Sequence, residues 1–159
     1  MRGHYYTTDP KDASRHIAND GLVLEEVACY IYKYDQTQPL PAGTAKLYQL
    51  YDRIADFRFY TPSEEEALQL LSNPQQYTEE AVLGLVYWPQ QPVGIATTQF
   101  YRLRNTSTNE HLYTTASGEK DVLSGHGWVE ENLHVGAGFV FTPGQAPEEA
   151  IPVYRLLKQ

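Results

Sequence analysis

Val153-Tyr154-Arg155-Leu156-Leu157, near the end of the chain, restates a pattern met twice before, in Leu47-Tyr48-Gln49-Leu50-Tyr51 and Phe100-Tyr101-Arg102-Leu103-Arg104. Tyr48, Tyr101 and Tyr154 stand 53 residues apart at each step. A second signal keeps that period: a basic residue, a hydrophobe and Tyr-Thr, in His4-Tyr5-Tyr6-Thr7, Arg58-Phe59-Tyr60-Thr61 and His111-Leu112-Tyr113-Thr114. The third is an acidic pair running into an apolar strand. It joins Glu25-Glu26 to Tyr30-Ile31-Tyr32, Glu79-Glu80 to Leu85-Val86-Tyr87, and Glu130-Glu131 to Phe139-Val140-Phe141. Three signals in fixed order on one period indicate a tandem repeat.

The frame of the repeat decides its closure. The chain opens on the second signal and carries a spare copy of the first at its end. The C-terminal strand is therefore expected to pair beside the N-terminal one, which removes two sheet edges. The units fall at about 1–45 plus 153–159, 46–98 and 99–152, within one domain spanning 1–159.

A short helix is expected between the second and third signals of each unit. Thr8-Asp9-Pro10 offers a cap and a proline for the first helical position, with a stop at Gly21. Ser63-Glu64-Glu65-Glu66 offers a cap, first-turn acids and a capping box. Ser117 leads the third and weakest helix, which has Gly118 in its first turn. The predicted fold is mainly β with one short helix per repeat. Its three small blades close in a pseudo-threefold ring, like a minimal propeller. A β-trefoil is the alternative, and a helix in every unit fits it poorly.

Composition limits the partners. A formal net charge of -8 and a pI near 5.0 disfavour nucleic acid and anionic membranes, where affinity comes from neutralising phosphates. No apolar stretch approaches the roughly 20 residues of a membrane span. Cys29 is the single cysteine, so no intrachain disulfide forms. The N-terminus enters structured sequence at once, which points to the cytosol if it is native and to a trimmed leader if it is not. No phosphate loop, nucleophile elbow or metal-ligand spacing occurs, so neither catalysis nor a cofactor is expected.

The candidate site residues come from the repeat. Tyr6, Tyr60 and Tyr113 are identical in all units, whereas Tyr5, Phe59 and Leu112 vary as core positions do. The invariant hydroxyl either satisfies a buried backbone group in each unit or faces a ligand. The basic positions His4, Arg58 and His111 either pair with Glu26, Glu80 and Glu131 or line a cleft with the tyrosines. In the second case each unit offers an aromatic ring, a cation and a carboxylate, a set suited to a glycan or another small polar ligand. The resulting expectation is a non-catalytic, lectin-like module. The alternative is a protein-interaction module or inhibitor using the irregular loop from Trp88 to Thr98, with Trp88 as its anchor.

Taken together, the units resemble a tandem repeat of unknown function from secreted bacterial and fungal proteins. That repeat reads Tyr-Arg-x-Tyr, then His-Phe-Tyr-Thr-Thr, then Trp-x-x-Glu-Gly. The matching stretches here are Phe100 to Asn105, His111-Leu112-Tyr113-Thr114-Thr115 and Gly127-Trp128-Val129-Glu130-Glu131, which adds Trp128 to the candidates. The second unit departs, with Arg58 for His and Gln76-Tyr77 for Gly-Trp. The family accompanies secreted hydrolases. The resemblance therefore implies secretion and a binding role toward cell-wall or other glycans.

Overall fold

The computed structural model describes residues 1–159 and is mainly β, with three short helices. In chain order, β1 (His4–Thr7) leads to α1 (Pro10–Asp20) and the long β2 (Leu22–Tyr32). β3 (Thr44–Asp52) and β4 (Phe57–Thr61) form a hairpin, followed by α2 (Glu64–Leu71) and β5 (Tyr77–Tyr87). β6 (Thr98–Gln99), β7 (Tyr101–Asn105) and β8 (His111–Thr114) precede α3 (Ser117–Ser124). β9 (Trp128–Glu131), β10 (Phe139–Val140) and β11 (Ala150–Lys158) complete the chain.

All pairings are antiparallel. They form an eight-stranded sheet and a three-stranded one ordered β8-β7-β9, and neither closes into a barrel. As the repeat frame requires, β11 lies between β1 and β2, with His4 opposite Leu157 and Val153 opposite Cys29. β4-β3-β5 and β8-β7-β9 have the same local order, a short strand, then an aromatic strand, then the strand that follows the helix.

Turn and cap chemistry explains the hairpins and helix starts. Asp52 accepts hydrogen bonds from the amides of Ile54 and Ala55, and Asn105 from those of Ser107 and Thr108. Each Asx turn closes on a residue of positive φ, Asp56 at 60° and Asn109 at 65°, positions that short polar side chains tolerate. Asp9, not Thr8, caps α1, and Ser63 caps α2 by accepting from the Glu66 amide. Glu66 does not close the expected box, because Arg102 and Thr61 hold its carboxylate. In α3 the cap is Ala116, without a side-chain bond, and Ser117 is already the first helical residue.

The third signal differs from expectation. In β2 and β5 the acidic pair and the apolar run form one continuous strand of 11 residues. Only the last unit splits them into β9 and β10. There Asn132, His134, Gly136 and Gly138 adopt positive φ, which no strand accommodates. Where β2 meets β5 at Tyr32 and Leu85, a Cβ on Gly84 would lie 2.5 Å from the Tyr32 carbonyl, so that approach requires glycine. The main core draws on strands of both sheets and includes Leu47, Phe100 and Val153 around the three invariant tyrosines.

Candidate functional site

Tyr6, Tyr60 and Tyr113 sit on β1, β4 and β8 and are 1 %, 1 % and 0 % exposed. Their rings meet edge to face, with centroids 5.2 to 5.4 Å apart. The Tyr6 hydroxyl donates to the Tyr113 carbonyl at 2.9 Å and accepts from the Tyr113 amide at 2.8 Å. Tyr113 does the same to Tyr60, at 2.8 Å in both bonds, and Tyr60 to Tyr6, at 3.2 and 2.9 Å. Each strand thus has one residue's backbone groups satisfied by the next strand's hydroxyl, and the cycle closes. Burial pushes all three phenols well above their ordinary pKa. The reading of Tyr6, Tyr60 and Tyr113 as ligand-facing is corrected here: both bonding capacities of each hydroxyl are used inside the core.

The basic positions lie in ion pairs outside this core. Arg58 holds Glu80 through Nε at 2.8 Å and Nη2 at 3.0 Å, and stacks 4.0 Å above the Tyr51 ring. His111 Nε2 lies 2.8 Å from Glu131 Oε1. His4 meets Glu25 at 3.1 Å and Glu110 at 2.7 Å. Glu25 therefore takes the place assigned to Glu26. Glu25 is itself the extra residue of a β-bulge, between Glu26 opposite Arg155 and Leu24 opposite Leu156, and Glu80 occupies the same bulge against β3, which makes Glu25 its counterpart. Glu26 keeps only an outer contact to Arg155 at 3.2 Å.

Two arginines that the repeat contained, but that were not read as site residues, organise these pairs. Arg102 is 4 % exposed and grips Glu66 of α2 with both terminal nitrogens, at 2.8 and 3.0 Å, while its Nε donates to Glu131 at 3.0 Å. Arg155 holds Glu119 of α3 at 2.9 and 3.0 Å and donates through Nε to Glu25 at 3.0 Å. Glu66 and Glu119 are both third residues of their helices, and each is 36 residues before its arginine. The signal was in the sequence as Tyr-Arg-Leu, twice, at a constant distance from a first-turn acid. Planar, bidentate pairs of this kind fix helix against strand.

Replacing Arg102 with Met is expected to destabilise the protein by about 2–3 kcal/mol, less than the ~3–5 of a wholly buried pair because both carboxylates keep a wet edge. Denaturant unfolding measures it, and a change within error would mean the pair is only decorative. Acid adds a second check. Burial would raise Glu131, but the His111 hydrogen bond and the charges of His111 and Arg102 outweigh it and hold the carboxyl at about 2. Glu66 and Glu119 are lowered as well, against burial, by Arg102 and Arg155. A lowered native pKa gives stability that is complete above the unfolded value, near 4.5, and lost as pH falls toward 2. Stability should therefore decline below about pH 5, and Glu131→Gln should flatten that slope. An unchanged slope would count against Glu131 as its source.

Two clefts open beside the pairs. One, of about 270 Å³, lies between β4, α2 and β8, with Phe57, Arg58, Tyr77, Arg104, Asn109 and His111 on its walls. The other, of about 460 Å³, lies between α1 and the β3–β5 surface, with Tyr5, Asp12, Gln49 and Glu80 among its walls. Trp128 lies on β9 opposite Asn105 and lines neither. Trp88 is half-buried against the main core, and the most exposed apolar residue of its loop is Val93, at 99 %. No group of three or more His, Cys, Asp or Glu is placed to hold a metal ion, and no helix is long and apolar enough to cross a membrane.

No curated protein and no solved structure matches the chain. A family model does, over residues 1–138 and again over 85–159. On that coverage, the chain belongs to the family described as a domain of unknown function, DUF5648.

Proposed function

We propose that this protein is a non-catalytic module that binds glycans, or small polar ligands like them, in the 270 Å³ cleft beside His111. The observation that carries the reading is the make-up of that wall. One half-buried aromatic ring, Tyr77, stands beside the fixed polar groups of Arg58, Arg104, Asn109 and His111. A ring face suits the apolar side of a sugar, and a few oriented donors and acceptors suit its hydroxyls. The ion pairs hold these side chains in place before any ligand arrives, which lowers the ordering cost of binding.

The same proposal includes a three-bladed, pseudo-threefold architecture with units at about 1–45 plus 153–159, 46–98 and 99–152. It is supported by the period of 53 residues, the tyrosine cycle and the two overlapping family matches, which share residues 85–138. Related clefts between adjacent units would let weak contacts add up on a polymeric ligand.

A broad glycan array, including peptidoglycan and chitin fragments, tests the function. Binding is expected, and Arg104→Ala with Tyr77→Ala should weaken it about tenfold or more while the unfolding midpoint of the cleft's framework is retained. A blank array, or binding unchanged in the double variant, overturns the reading. A blank would favour the second reading, a protein partner held by the Trp88-to-Thr98 loop, for which the full exposure of Val93 speaks.

A further inference from the structure

In the 270 Å³ cleft the acids are engaged and several donors are not. Three carboxylates line it, and each of their oxygens already accepts a bond from within the protein. Asp52 takes the amides of Ile54 and Ala55 on Oδ1 and the Gln76 side chain on Oδ2. Glu66 takes Thr61 and one terminal nitrogen of Arg102 on Oε1, and the other terminal nitrogen on Oε2. Glu131 takes Arg102 and His111 on Oε1 and Arg104 on Oε2. An ionised carboxylate has no hydrogen to give.

Arg104 donates through Nε to Glu131 at 3.2 Å and through Nη1 to Asn109 Oδ1 at 3.2 Å, and its Nη2 donates to no protein atom. The second of these bonds turns the Asn109 amide oxygen toward the guanidinium, and the Asn109 Nδ2 has no protein partner either. Arg58 repeats the pattern: Nε and Nη2 hold Glu80, and Nη1 has no acceptor. The buried side-chain atom without a partner is Gln99 Nε2, which lies outside this cleft. The spare nitrogens of Arg58 and Arg104 therefore reach solvent.

We infer, on the reading of this cleft as a glycan site, that its ligand is an acidic glycan, whose sugar carboxylate is held by Arg104 Nη2 and Asn109 Nδ2 while its ring lies against Tyr77. Arg104 and Asn109 act as one unit, because their mutual bond sets a charged donor beside a neutral one. A carboxylate brings two acceptor oxygens to that pair, and a bond with charge on both partners is roughly twice as strong as a neutral one. Arg58 and Arg104 each keep a glutamate on the Nε side, so the remaining edge is the positive end of a fixed ion pair. The chain's net charge of -8 gives an anion no long-range attraction, so the preference is made by contact, at the one carboxylate seated in the cleft.

The test is an amide-resolved NMR titration of the full chain with methyl glucuronide, methyl glucoside, methyl N-acetylglucosaminide and acetate. Saturable shifts are expected around Tyr77, Arg104 and Asn109, with the glucuronide bound about tenfold or more tighter than each of the other three. Arg104→Gln removes the charged donor and should erase that preference. Asn109→Asp sets a carboxylate against the ligand's own and should erase it too. Aspartate tolerates the φ of 65° at this turn, so the test stands even if Arg104→Gln disturbs the fold. A glucoside or N-acetylglucosaminide that binds as tightly as the glucuronide overturns the acidic preference and leaves the glycan reading standing. Acetate as tight as the glucuronide overturns the glycan reading, and the inference with it, because the sugar ring would then add nothing. Absence of shifts with every sugar overturns both. A preference that survives both variants overturns the assignment of the carboxylate to Arg104 and Asn109.

Discussion

A chain ending at Pro152 is expected to show no cooperative unfolding transition. The seven residues removed look like a tail, yet they supply most of β11, the partner of β1 and the neighbour of β2 through its length. Val153 and Leu156 are both 0 % exposed, and each contributes about 1.5–3 kcal/mol of burial. Arg155 leaves with them, and Glu119 and Glu25 lose their shared cation. Those losses, with the backbone bonds of the ladder, reach the ~5–15 kcal/mol that holds a domain of ordinary stability folded. Circular dichroism melts and NMR dispersion check the result, and a peptide covering 150–159 should restore the transition when added. Native dispersion in the truncated chain alone would mean that β1 and β2 pair without β11.

Tyr113→Phe is expected to cost about 2–5 kcal/mol, a large effect for the loss of one oxygen. That oxygen donates to the Tyr60 carbonyl and accepts from the Tyr60 amide. Without it both groups are stranded in the core, where no water reaches them, and each carries its own desolvation penalty. The packing barely changes, since the ring remains. Because the three hydroxyls form one cycle, double and triple Phe variants should depart from the sum of the single effects. Urea unfolding of the single, double and triple variants measures this. A single-variant cost below about 0.5 kcal/mol, within the range of an ordinary surface change, would show that the hydroxyls are dispensable.

The carboxylate and arginine positions show a different balance of redundancy. Arg58 compensates Gln49: where β3 lacks an arginine, the neighbouring strand carries one in place of histidine, and Glu80 stays paired. The helix acid of that position, Asp12, is met instead by the Tyr5 hydroxyl at 2.8 Å and by Arg15, and a cleft of about 460 Å³ opens beside it.

The spacing of Tyr48, Tyr101 and Tyr154 was enough to place β11 beside β1, because a spare first strand at one end can satisfy its backbone only against the unpaired strand at the other. Alternation made Tyr5, Phe59 and Leu112 core positions, and all three are buried. Period and alternation are local properties of the chain, and they carry that much. They did not say whether Tyr6, Tyr60 and Tyr113 face a ligand or each other. Identical residues on one strand face mean the same thing in sequence for either case, and the answer lies in hydrogen bonds between residues 53, 54 and 107 apart. Nor could alternation separate Glu25 from Glu26, since Glu25 meets His4 from a β-bulge that breaks the alternation and forms only against β11, at the other end of the chain. The pairing of Arg102 with Glu66 was equally hidden. Side-chain reach across a helix–strand junction depends on how the helix packs, and packing is a property of the assembled core.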